Sequence, residues 1–109
     1  YMAYEADFSK GDNDKRWLEL WKYCIPTNTI SSGYEYALVA CGKLEGRISW
    51  DGFGGLYDYA AGAFLVQEAG GVVRNVGSTS YDYRNFTFTA TNPRVYSELL
   101  DLGILPKPL

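Results

Sequence analysis

The sequence predicts an α/β domain, a mixed β-sheet flanked by α-helices. Segments with helical apolar spacing alternate along the chain with short β-branched or aromatic runs. Alternation of this kind builds a sheet with helices packed on it. Composition agrees: 47% of the 109 residues are apolar, with ten tyrosines and three tryptophans to fill a core or an interface. That is globular rather than disordered material. A chain of this length is one domain or part of a larger one, and its core is modest if it folds alone.

The elements follow in order. "SKGDNDK" is a polar turn able to cap a helix. "DNDKRWLELWKYC" then sets Trp17, Leu18, Trp21, Cys24 and Ile25 on one stripe, which predicts a helix over residues 14–24, stopped by Pro26. "TNTI" is short and β-branched and predicts a strand over 27–30. Ser31 or Ser32 can cap the next helix, 32–41, which Gly42 ends at the position helices favour for glycine. "LEGRISW" holds a strand at 46–50, and "DGFGG" is a loop. A helix over 58–69 opens on Asp58 and closes on Gly70 and Gly71. Ala60, Ala61, Ala63, Phe64, Leu65, Val66 and Ala69 surround that helix, leaving only Gln67 and Glu68 for water. A helix apolar on nearly every side is expected to be covered on every side. "VVRNV" and "FTFTAT" predict strands at 72–76 and 86–91, with the turn-rich "GSTSYDYRN" between them. Asn92 caps a last helix over 93–102, with Pro93 in the first turn and Gly103 beyond its end.

Several functions are excluded or disfavoured. The formal charge of −3 gives no basic footprint for nucleic acid. No apolar run approaches the roughly 20 residues that span a bilayer, so no membrane partner is expected. "YMAYEADF" has neither the charged nor the apolar region of a secretory leader, which points to a cytoplasmic protein. It also lacks an initiating methionine, so the chain reads as an excised piece. There is no histidine, which rules out Ser-His and Cys-His nucleophile pairs and histidine metal sites within it. Catalysis has to lean on carboxylates, lysine, tyrosine or a bound metal. Cys24 and Cys41 lack C-x-x-C spacing and read as buried free thiols. Lys43, Glu45 and Arg47 read as a solvated face, and Trp17 and Trp21 as core or a dimer contact.

Asp58 stands at the head of the small, apolar stretch "GGLYDYAAGAFLVQEAGG". As an N-cap it would accept a bond from a first-turn amide and offset the positive helix end, a stabilisation of about 1 kcal/mol. Alternatively its carboxylate enters a site. Mg²⁺ takes oxygen ligands, usually one or two carboxylates with phosphate and water. The helix end beside it would favour the phosphate anion. The two roles are compatible.

"YDYAAGAFLVQEAGG" resembles the C-terminal signature of the inositol monophosphatase family, W-D-x-x-A-G-x-x-x-[IV]-x-E-A-G-G. Asp58, Ala61, Gly62, Val66, Glu68, Ala69, Gly70 and Gly71 match it, and Tyr57 replaces the tryptophan. "GYEYALVACGKLEGRIS" upstream and "VVRNV" and "TFTATNPRVYSELL" downstream are similar to the family's flanking elements. The resemblance spans residues 17–105. It implies the C-terminal α/β subdomain of a magnesium (Mg²⁺)-dependent phosphatase of inositol or sugar phosphate monoesters. The N-terminal half, with a further Glu and the D-P-[IVL]-D-G-[ST] signature, is absent from these residues. By resemblance Asp58 is a metal ligand and catalytic residue. Asp51 is the nearest counterpart of the family's acidic substrate-binding residue, with Ser49 as an equal alignment. Ser32 falls near the small residue at the head of the preceding helix. The implied partners are a small phosphomonoester, a second copy in a homodimer, or the missing half. A noncatalytic binding or oligomerisation module that keeps the fold is the alternative.

Overall fold

The computed structural model describes residues 1–28, 31–50 and 56–108. The elements run β1 (Met2–Ala6), α1 (Asn13–Leu20), β2 (Pro26–Thr27), α2 (Ser32–Ala40), β3 (Gly46–Trp50), α3 (Leu56–Glu68), β4 (Val72–Asn75), β5 (Phe88–Thr91) and α4 (Pro93–Asp101). The strands form one mixed sheet in the order β2-β1-β3-β5-β4. β2, β1 and β3 are parallel, whereas β5 runs antiparallel to both β3 and β4.

Side chains alternate across this sheet with the strand period of two. Ala3, Val73, Phe88 and Ala90 face α2 and α3, where they meet Tyr36, Val39, Tyr59, Ala63 and Val66. Met2, Tyr4, Ala6 and Ile48 face the other way, against Leu20 of α1 and Leu99 of α4. The result is three layers, helices over both faces of a mixed sheet, as the alternation of periods predicts. No helix among the described residues is long and apolar enough to cross a membrane.

The largest difference from expectation is β1. Sequence reading leaves residues 1–6 without an element, yet β1 lies inside the sheet, paired on both sides. All but one of its residues are buried, so no apolar–polar alternation marks it, and Glu5 interrupts what would otherwise read as an apolar run. α1 stops at Leu20, although a turn bond from the Cys24 amide to the Leu20 carbonyl carries the coil further. β2 is reduced to Pro26–Thr27, a proline opening an edge strand where it removes no ladder bond. The rest of that expected strand includes Thr29 and Ile30, which lie outside the described residues. The Asn28 side chain donates to the Tyr4 carbonyl instead.

Three expectations about burial are corrected. α3 is covered on one side only: Tyr59, Gly62, Ala63 and Val66 are buried, while Phe64 is 60% and Leu65 48% exposed. The sheet and α2 cover the inner side, and the outer side is as apolar without a cover among the described residues. Cys41 is exposed and Cys24 half-buried; both are free thiols. Of the pair read as core or a dimer contact, Trp17 packs beside Tyr4 and Phe8 at the margin of the core, and Trp21 is half exposed. Arg47 is the third correction and belongs to the site described below.

Two glycines of the α3 segment owe their place to close approach. A Cβ on Gly71 would fall 2.4 Å from Val66 Cγ1 and 2.8 Å from the Thr91 carbonyl oxygen. A Cβ on Gly62 would fall 2.0 Å from Cδ2 and 2.3 Å from Cγ of Tyr36, so α2 and α3 meet at a bare backbone. The Tyr36 ring cannot easily give, because it is stacked on Phe88 at an interplanar angle of 6°. Replacing Gly62 by alanine raises helix propensity by about 1 kcal/mol. Overpacking a filled core costs about 1–3 kcal/mol, and at so short an approach the upper part of that range applies. Gly62→Ala should therefore be destabilised, read as a lower urea midpoint at unchanged slope. A midpoint equal to or above that of the unmodified protein would contradict this packing.

Candidate active site

β1, β2 and β3 run parallel, so their carboxyl ends share one edge of the sheet. From that edge β1 leads through α1 to β2 on one side, and β3 leads through α3 to β4 on the other. α1 and α3 also lie on opposite faces. The connections thus diverge between β1 and β3, which makes a crevice of the type where open α/β sheets bind ligands. α1, α2 and α3 each follow the carboxyl end of a parallel strand. Their N-termini therefore meet this edge and bring partial positive charge to it.

Between the sheet and its α2–α3 layer lies a buried ionic cluster. Arg47, the second residue of β3, points toward α2 and α3 and is 2% exposed. Its Nε donates to Glu35 Oε1 at 2.8 Å, its Nη1 to the Tyr36 hydroxyl at 3.0 Å, and its Nη2 to Glu5 Oε1. The other oxygen of Glu5 accepts the Tyr59 hydroxyl. Burial alone would lower the Arg47 pKa; the Tyr36 phenol and the Glu35 and Glu5 carboxylates outweigh it, and the net direction is upward. Burial drives the Tyr36 hydroxyl far above the ordinary tyrosine range, so it stays neutral and can accept from Arg47. The expectation of a solvated Lys43, Glu45 and Arg47 therefore holds for the first two and fails for Arg47. In β3 the alternation puts residue 47 on the covered face, where an unpaired charge is costly and a paired one is held.

Asp58 is the third residue of α3. The helix begins at Leu56, so Asp58 belongs to its first turn rather than to the cap; its side chain lies outside what the structure describes. A charge there still complements the positive helix end. Asp51 lies outside the described residues. Ser32 is the first residue of α2, half-buried, and Ser31 is the cap, accepting the Tyr34 amide at 3.4 Å. Ser49 is fully buried and donates its hydroxyl to the Phe86 carbonyl at 2.9 Å. The carboxyl edge thus gathers the starts of α2 and α3, with Ser32 and Asp58, around the ends of β1 and β3. Sequence reading misses Glu5 and Glu35. The available signal for Glu35 is its place on the inner stripe of α2, one turn before Val39, where an apolar residue is the ordinary choice.

Among the described residues no group of three or more His, Cys, Asp or Glu side chains comes together as a metal cage. Glu5 and Glu35 are engaged by Arg47. Asp58 remains as one hard oxygen donor at a helix N-terminus. That suits Mg²⁺, which takes one or two carboxylates and fills its other positions with phosphate and water. The donor chemistry of Asp58 fits one ligand of such an ion.

Comparison with known proteins agrees with this geometry. The model of the inositol monophosphatase family matches residues 4–102. The probable inositol 1-monophosphatase ImpA of Mycobacterium tuberculosis is 37% identical over 79 residues, which are 72% of this chain and 28% of that protein. Inositol monophosphatase 1 of Solanum lycopersicum is 38% identical over 65 residues, 60% of this chain and 23% of its own length. The chain thus spans about a quarter of the curated relatives it matches. The inositol monophosphatase structure from Anabaena (Nostoc) superposes with a TM-score of 0.79 at 25% identity, over 96% of this chain and 44% of that one. A staphylococcal IMPase-II bound to inositol monophosphate shares the fold, with a TM-score of 0.71 at 16% identity over 90% of this chain and 39% of its own. A family match over nearly the whole chain, on a fold whose crevice receives the matching helix start, leads to one conclusion: the chain belongs to the inositol monophosphatase family.

Proposed function

We propose that the chain is the C-terminal α/β part of a Mg²⁺-dependent phosphatase acting on an inositol phosphate or a related sugar phosphate monoester. The observation that carries this reading is the delivery of the Asp58 turn of α3 to the carboxyl edge where the strand connections diverge. In this reading Asp58 holds one metal ion, and the remaining ligands come from a segment outside these residues. Bound Mg²⁺ supplies a Lewis acid for the phosphoryl oxygens and lowers the pKa of a bound water. The helix starts of α2 and α3 favour the phosphate's negative charge. Ser32 and Asp51 take the substrate alcohol. Catalysis is then chiefly electrostatic and positional.

The outer side of α2 and α3 supports the partner part of the proposal. Tyr34, Phe64 and Leu65 stand exposed on adjoining helices. In our reading the rest of the enzyme covers this face, in a cytoplasmic protein, and homodimers form through other surfaces.

Three outcomes test the proposal. The 109-residue chain alone should show no Mg²⁺-dependent release of phosphate from a panel of inositol and sugar phosphates; turnover well above buffer would overturn the incomplete-site reading. In the full-length gene product, Asp58→Asn should cost no more than about 1 kcal/mol of stability, the worth of a first-turn charge. Its Mg²⁺-dependent turnover should fall by about tenfold or more, as for a lost transition-state contact. Retained turnover and retained Mg²⁺ dependence would remove Asp58 from the site. In the isolated chain, Phe64→Ser with Leu65→Ser should leave stability within about 0.5 kcal/mol, as for surface positions. The same pair should destabilise the full-length product by several times that amount. Equal effects in both, measured by urea unfolding, would show that this face is not covered.

A further inference from the structure

A single guanidinium links four elements between the sheet and its α2–α3 layer. From β3, Arg47 reaches Glu35 and Tyr36 on α2 and Glu5 on β1, and the second oxygen of Glu5 takes the Tyr59 hydroxyl on α3. Tyr59 is the residue after Asp58. Its ring is fixed as well as its hydroxyl: Phe86 lies 5.0 Å and Phe88 5.7 Å away between centroids, both rings tilted or edge-on to it. The guanidinium carbon of Arg47 sits 4.7 Å from the Tyr36 ring centroid and 5.8 Å from that of Tyr59. A planar guanidinium sends its donors in fixed directions. Glu5 is thereby oriented by Arg47, and its second oxygen accepts the Tyr59 hydroxyl.

We propose that Arg47 and Glu5 are positioning residues that set the first turn of α3, and with it Asp58, through the Tyr59 hydroxyl. The function of this relay rests on reading Asp58 as a metal ligand; its geometry does not. In this proposal the three act through the backbone of α3, not on the reacting atoms. The sheet holds Arg47 and Glu5 in register, because Ala3 pairs with Arg47 and Glu5 with Ser49 on adjacent parallel strands. The rigid sheet thus transmits its own register to the helix start at the crevice.

The test uses the full-length gene product with Tyr59→Phe, Glu5→Gln and Arg47→Lys, and Asp58→Asn as reference. Amide hydrogen exchange of metal-free protein is read at residues 56–60 and, as internal control, in β4. Mn²⁺ serves as the metal probe, its affinity read by electron paramagnetic resonance. In Tyr59→Phe, which keeps the ring, exchange at the α3 start should rise by about tenfold, the equivalent of one lost bond to a charged group. Exchange in β4 should stay unchanged. Mn²⁺ affinity should weaken in the same variant by several-fold, and Glu5→Gln should behave alike. If Arg47→Lys fails to fold, Tyr59→Phe decides alone. Unchanged exchange at the α3 start, or an equal rise in β4, would overturn the proposal and leave the relay as general packing. Asp58→Asn separates the two readings. If it binds Mn²⁺ as well as the unmodified protein, the metal role of Asp58 fails, while the exchange arm still decides whether the relay sets the turn.

Discussion

The structure depends on one buried cation. Arg47 reaches the interior because β3 is central and because β1 and α2 each bring a carboxylate to meet it. Removing either partner from such a pair generally costs about 3–5 kcal/mol, since it strands a charge away from water. Replacing the whole group by apolar side chains can be neutral for stability. What an apolar core cannot do is connect specific atoms in specific directions. The network joins β1, β3 and α2 directly and α3 through a hydroxyl, so the layer of helices is fixed over the sheet in one arrangement. The aromatic rings of Tyr36, Tyr59 and Phe88 pack around it and exclude water.

Most elements were legible because their periods are local. β3 falls at the expected residues, and α2, α4, β4 and β5 differ at their ends only. Asn92 and Ser31 act as caps, as their residue types predict. The site was legible only through the resemblance around Asp58, since one aspartate before an apolar helix carries no specific chemistry. β1 and Arg47 were not legible for the same reason. A strand covered on both faces has no polar side to reveal its period. A charged residue in a short run reads as solvated unless its partners are known, and the partners of Arg47 lie 12 and 42 residues away in sequence. Glu5 and Arg47 explain each other only once β1 and β3 are paired.

α3 shows a different limit of sequence reasoning. Its all-round apolar surface predicts a helix covered on all sides, and the described residues cover one. The rule is about the environment of a helix in the whole protein. The mismatch between composition and burial is therefore information about what lies against the outer face. It agrees with a chain that spans only part of the length of its relatives.

The position of Glu5 bears on how the chain avoids trouble before it is folded. β1 is a nearly continuous apolar strand whose central partner, β3, comes only after α1, β2 and α2 in the chain. A short apolar strand with an open edge is a hazard for self-association, and a charge within it acts as a gatekeeper. Glu5 supplies that charge while the strand is solvated and hands it over to Arg47 when β3 docks. The same carboxylate thus protects the nascent chain and later becomes part of its interior, so aggregation resistance and native order are drawn from one side chain rather than traded against each other.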